Sequence, residues 1–114
     1  MIQIYHNNSC TKSRQALQQL ENSGKDFDVI FYLETPPDQT QLKDLIQKLE
    51  IKPFELIRKT EKIFTENYKG KTLTDDEWVN AMVKHPILIE RPIVVKGDKA
   101  VIARPTDRIK EILD

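Results

Sequence analysis

At 114 residues the chain has room for one hydrophobic core and not two, and its 18 basic and 18 acidic side chains cancel to a formal net charge of zero, so no global field draws it to nucleic acid or to an anionic membrane. A single cysteine excludes an internal disulfide and a cysteine-rich metal site, and His6 and His85 are too far apart to suggest a metal centre, so no metal or tightly bound cofactor is expected. No secretory signal or long apolar span is recognisable, which makes the cytoplasm the expected compartment.

Met1 to Tyr5 reads as a short strand in which Ile2 and Ile4 alternate with Gln3 and Tyr5. The polar run His6-Asn7-Asn8-Ser9-Cys10-Thr11-Lys12-Ser13 follows, and a helix is predicted to open near Ser13, with Ala16, Leu17 and Leu20 at helical spacing and Gly24 as its stop. Val29 to Leu33 is a continuous β-rich run, the pattern of a strand buried on both faces of a parallel sheet. Strand, helix and strand make a βαβ unit with a right-handed crossover. Cys10 therefore falls in the first βα turn, beyond the carboxyl end of a strand, where open α/β sheets bind ligands.

Pro36-Pro37 breaks the chain, and Asp38 offers an N-cap to a helix carrying Leu42, Leu45, Ile46 and Leu49 on one face. A short segment runs from Pro53 to Ile57, and Thr60 to Tyr68 is predicted helical with Gly70 ending it. Thr74-Asp75-Asp76-Glu77 is a capping box opening a helix whose Trp78, Val79 and Met82 are available for packing. From Pro92 the period changes. Ile93-Val94-Val95 and Ala100-Val101-Ile102-Ala103 are predicted strands of a hairpin joined through Lys96-Gly97-Asp98-Lys99. Pro105 suits the first position of a last helix with Ile109, Ile112 and Leu113 as its seam. The prediction is a single α/β domain over residues 1–114, in the order βαβ, a helical insert at about 38–85, then ββα.

A cysteine kept for packing lies in an apolar stretch, whereas Cys10 lies in a polar turn at a helix start, where backbone dipoles stabilise the thiolate. The Thr11, Lys12 and Ser13 amides, a donating Ser13 hydroxyl, and positive charge from His6 or Lys12 are candidates for that stabilisation. His6 has a second reading as a strand-end histidine satisfied by backbone, and Ser13 as a first-turn capping residue. Arg91 and Arg104 each precede a proline at the outer ends of the hairpin, which brings them together; two planar donor forks there match a tetrahedral oxyanion, while the plainer alternative pairs them with Glu90, Asp107 or Glu111. Arg58 follows the apolar pair Leu56-Ile57, and Arg14 and Arg108 read as solvated helix faces. Pro92 either starts an edge strand or follows a cis bond that turns the backbone toward a ligand.

Ile4-Tyr5-His6-Asn7, Cys10 with Ser13-Arg14, Tyr32-Leu33-Glu34-Thr35-Pro36-Pro37, Leu56-Ile57-Arg58-Lys59, His85-Pro86 through Val95, and Ala103-Arg104-Pro105 together resemble the glutathione/glutaredoxin-linked arsenate reductase family, in order from about Ile4 to Leu113. The resemblance implies a thioredoxin-like fold with a mixed four-stranded sheet and an inserted helical subdomain, with Pro92 as its cis-proline. It implies Cys10 as nucleophile, Arg58, Arg91 and Arg104 as the arginines that bind the oxyanion, and His6 and Ser13 as supporting residues. Arsenate, glutathione and a glutaredoxin are the implied substrate, co-substrate and partner. The family commonly has proline two residues before the cysteine and Gly-Thr after it, where this chain has Asn8 and Thr11-Lys12. Two rival functions are a monothiol reductase of glutathione mixed disulfides and an Spx-like redox-sensing regulator; the latter usually carries Cys-x-x-Cys, against Cys10-Thr11-Lys12-Ser13 here.

Overall fold

The computed structural model describes residues 2–113. Met1, counted in the first predicted strand, lies outside them. The chain separates into two compact units, residues 1–35 with 91–114, and residues 36–90.

In the first unit β1 (Ile2–Tyr5) leads through the Cys10 turn into α1 (Thr11–Ser23) and then β2 (Phe27–Ile30). The helix opens two residues ahead of the Ser13 expected from the apolar spacing, with Cys10 itself as the N-cap in extended conformation. It stops at Gly24, whose φ of 74° is the left-handed conformation that glycine adopts without strain. β2 pairs in parallel with β1, placing Ile4 against Val29.

The second strand corrects the prediction in position and burial. The chain leaves the sheet after Ile30, and the Glu34 and Thr35 amides both close onto the Phe31 carbonyl at 2.9 Å. β2 is an edge strand, and Phe31 and Leu33 are each 42% exposed while Tyr32 between them is buried. The unbroken apolar run concealed a turn because alternate side chains of that turn point outward.

After the second unit the chain returns as the hairpin of β3 (Ile93–Lys96) and β4 (Lys99–Ile102). Lys96 and Lys99 face each other across Gly97-Asp98, and the positive φ at Gly97 alone fits a type II′ turn. β3 runs antiparallel to β1, giving a mixed sheet in the order β2-β1-β3-β4. Ala16 and Leu20 of α1, together with Ile109 and Ile112, pack on Ile2, Ile4, Val94 and Val101 in one buried cluster on one face of this sheet. Pro105 stands one residue before the terminal helical stretch, which begins as a 3-10 turn at Thr106–Ile109, a tighter start than the expected α-helix.

The second unit is helical. α2 (Gln39–Leu49) is capped by Asp38, whose side chain accepts from the Gln41 amide while the Gln41 side chain accepts from the Asp38 amide. A 3-10 turn at Pro53–Leu56 follows, then α3 (Lys62–Asn67), shorter than the predicted Thr60–Tyr68, and α4 (Asp75–Lys84). Thr74 and Glu77 form the capping box read from the sequence. Trp78 packs among Phe54, Phe64 and Tyr68, with ring centroids 4.9, 6.3 and 6.0 Å away. Ile57 and Ile89 pair in an isolated antiparallel bridge, with the Arg58 amide donating to the Leu88 carbonyl at 2.6 Å. The last four-residue helix, α5 (Lys110–Leu113), belongs to the first unit and packs on β3 and β4. The sheet with its two helices, interrupted in sequence by the helical segment, is the thioredoxin-like arrangement.

Candidate active site

Cys10 is half-buried and free, at the point where the turn after β1 meets α1. A helix N-terminus leaves its first amides without intrahelical acceptors, so a sulfur at the N-cap meets the positive end of the helix dipole. Burial acts most strongly on the thiol and pushes its pKa up; the Ser13 amide, the Arg91 guanidinium, the charge of Arg104 and the Lys12 amide pull it down and prevail. The net result is a thiol more acidic than ordinary cysteine.

The hairpin supplies the cations. Arg104 directs Nη2 to Cys10 Sγ at 3.4 Å and Nε to the carbonyl of Arg91. Arg91 is buried, and the bonds before Pro92 and before Pro105 are both cis. The sequence pointed to the first of these and gave no sign of the second. Because Ile93 pairs with Ile102, the two arginines flank one end of the β3–β4 ladder and meet there, as their positions in the hairpin implied. The plainer alternative offered for the two arginines, pairing with neighbouring acids, does not describe Arg104: its side chain bonds the Arg91 carbonyl and Cys10 Sγ, and Glu111 is taken by Arg108 at 3.0 Å on the surface.

The Ser13 hydroxyl, expected to donate to sulfur, is turned elsewhere. It lies 2.7 Å from His6 Nδ1 and accepts from the Asn7 amide at 3.0 Å. His6 Nε2 meets Asn8 Oδ1 at 2.9 Å. An amide oxygen only accepts, so Nε2 carries the hydrogen, and in the neutral ring Nδ1 then receives the Ser13 hydroxyl proton. Ser13 thus serves the sulfur through its backbone amide, while its hydroxyl is turned to His6. His6 is buried, touches the edge of Phe31 at a centroid distance of 5.7 Å, and ties the turn together.

Asn8 occupies one of the positions where the chain departs from the family pattern, and it is built into that tie. Its carbonyl also accepts from Arg14 Nη1 at 2.8 Å, and Arg14 Nη2 reaches Thr11 Oγ1 at 3.3 Å. Arg14 was read as a solvated face; it is exposed, and it clamps both ends of the cysteine turn. Asn7 closes the turn from inside, with Oδ1 accepting from the Ser9 amide at 2.9 Å and its carbonyl accepting from the Cys10 amide at 3.0 Å. That Asx turn was legible in Asn7-Asn8-Ser9, since asparagine commonly bonds the backbone two residues on. Nothing in the spacing of Arg14 revealed its clamp.

Arg58 lies in the helical unit, half-buried beside the Ile57–Ile89 bridge, and its buried Nε has no hydrogen-bond partner among the described residues. Among those residues no group of three or more His, Cys, Asp or Glu side chains is placed to hold a metal ion, and no helix is long and apolar enough to cross a membrane.

The Escherichia coli (strain K12) protein named uncharacterized protein YfgD is 41% identical to this chain over 114 residues, spanning 98% of the chain and 96% of that protein. The arsenate reductase of the same strain is also 41% identical, over 113 residues that span 98% of the chain and 80% of the reductase. The solved arsenate reductase from Vibrio cholerae superposes with a TM-score of 0.93 at 43% identity, covering 97% of this chain and 96% of that one. Residues 5–112 match the ArsC family, which takes in the cysteine turn and both hairpin arginines, and the chain belongs to that family.

Proposed function

We propose that the protein is an arsenate reductase whose nucleophile is the Cys10 thiolate. The observation that carries this reading is the approach of Arg104 Nη2 to Sγ at 3.4 Å, at a helix N-terminus and beside a buried Arg91. A guanidinium pair next to a thiolate both keeps the sulfur ionised and offers planar donors to a tetrahedral anion. Arg58 is the third cation of this reading, on the strength of the family likeness.

In the reaction, Sγ attacks arsenic, an S–As bond forms and an As–O bond breaks, the departing oxygen leaving as water after protonation. The arginines disperse negative charge on the oxygens as the bond order changes. The chain has no second thiol, so external thiols complete the cycle: two are oxidised to one disulfide, arsenic falls from the +5 to the +3 state as the S–As bond breaks, arsenite leaves, and Cys10 is regenerated. Glutathione and a glutaredoxin are the thiol donors of this proposal. His6 and Ser13 hold the turn, and Pro92 sets the backbone that carries Arg91 to the site.

The test is arsenate-dependent thiol oxidation with glutathione and glutaredoxin supplied. Cys10→Ser is expected to fall to background, and Arg91→Ala to lose roughly 10²-fold or more in kcat/KM, the scale of removing one preorganised charge-stabilising donor. Turnover that survives Cys10→Ser would discard the mechanism. A wild-type enzyme that reduces glutathione mixed disulfides and leaves arsenate untouched would transfer the site to that other substrate.

A further inference from the structure

Tyr32 is wholly buried, yet its hydroxyl has no hydrogen-bond partner among the described residues. A buried phenol ordinarily finds a partner, because phenylalanine would fill the same space without the penalty of a dry, unpaired O–H. The surroundings of the oxygen show where it sits. Burial raises the phenol pKa most, the Arg91 guanidinium and then the Asn7 side chain pull it down, and the charge of Cys10 pushes it up again, leaving it above the ordinary tyrosine value. Its hydroxyl therefore lies close to the Arg91 guanidinium and the Asn7 side chain and in the field of Cys10, in hydrogen-bond geometry with no side chain among the described residues.

We propose that Tyr32 is a further residue of the oxyanion site, its hydroxyl donating a hydrogen bond to an oxygen of the tetrahedral anion held beside Cys10. The inference rests on the oxyanion reading given above and adds a neutral donor to its cations. In the free protein the donor is unpaired, and a bound anion supplies the acceptor. The raised pKa keeps the proton on the phenol at neutral pH, which a donor requires. The donor also separates substrate classes. A tetrahedral oxyanion presents an oxygen to it, whereas the sulfurs of a mixed disulfide are poor acceptors.

The experiment is protection of Cys10 from iodoacetamide by inorganic arsenate, in wild type and Tyr32→Phe. The variant keeps the ring and deletes only the unpaired hydroxyl, so its unfolding midpoint should equal or exceed that of wild type. The arsenate concentration giving half-protection is expected to rise about tenfold or more, the scale of one hydrogen bond to a charged acceptor. The pH dependence of alkylation without arsenate should stay unchanged. A wild type protected by arsenate and a variant protected equally well would overturn the role of Tyr32 alone. A wild type that arsenate does not protect would overturn the oxyanion reading and this inference with it. An independent measurement uses wild type labelled with ¹³C at tyrosine Cζ: the Tyr32 resonance is expected to shift on addition of arsenate, and a resonance that arsenate leaves in place would refute the contact.

Discussion

At the scale of single residues, the acidity of Cys10 is a contest in which burial loses to four smaller influences. Arg104 is the one whose contact with sulfur is geometrically explicit. An opposite charge within hydrogen-bond reach favours the ionised form of an acid, so Arg104→Ala should raise the thiol pKa, read as a move of the alkylation midpoint to higher pH. Arg104→Lys should recover part of this shift, since it restores charge without the fork that also holds the Arg91 carbonyl. An unshifted Arg104→Ala would assign the acidity to Arg91 and the helix amides. Sequence reasoning placed the cysteine at a helix start and misjudged where the Ser13 hydroxyl turns. A serine three positions into the run after cysteine looked free to donate to sulfur, and only the folded turn shows His6 Nδ1 nearer to hand at 2.7 Å.

At the scale of elements, caps and glycines were legible because their physics is local. Gly24 ends α1 in the left-handed region, and Thr74 with Glu77 opens α4, as Asp38 with Gln41 opens α2. The Glu77 carboxylate accepts from the Thr74 amide at 2.9 Å, and that amide, then the Thr74 hydroxyl, lower its pKa. A carboxyl with a lowered folded pKa contributes stability that is present above its unfolded pKa and lost as pH falls through the folded one. Thr74→Ala should cost about 1 kcal/mol in urea unfolding at neutral pH, the usual price of an N-cap, and a variant as stable as wild type would show the cap to be idle. β2 was misplaced because its neighbours across the chain, not its own residues, decide where a strand leaves a sheet. Phe31 and Leu33 carry strand propensity, and the two amides bonded to the Phe31 carbonyl override it.

At the scale of the whole molecule, a chain of zero formal net charge concentrates positive potential in one place. Arg91, Arg104 and the amides of α1 converge on a single sulfur, brought together by a sheet whose outer strands come from opposite ends of the sequence. Sequence pattern was enough for the order of elements and for the pairing of the two arginines, because the hairpin register places them together. The tie of His6, Asn8, Ser13 and Arg14, and the buried hydroxyl of Tyr32, needed three-dimensional structure, since each depends on which way a side chain turns. The central claim is that this convergence favours the Cys10 thiolate. As the chain has one cysteine, the rate of iodoacetamide alkylation against pH reports that thiol and no other. The account predicts a midpoint below the roughly 8.5 of a free thiol; a midpoint at or above that value would contradict it.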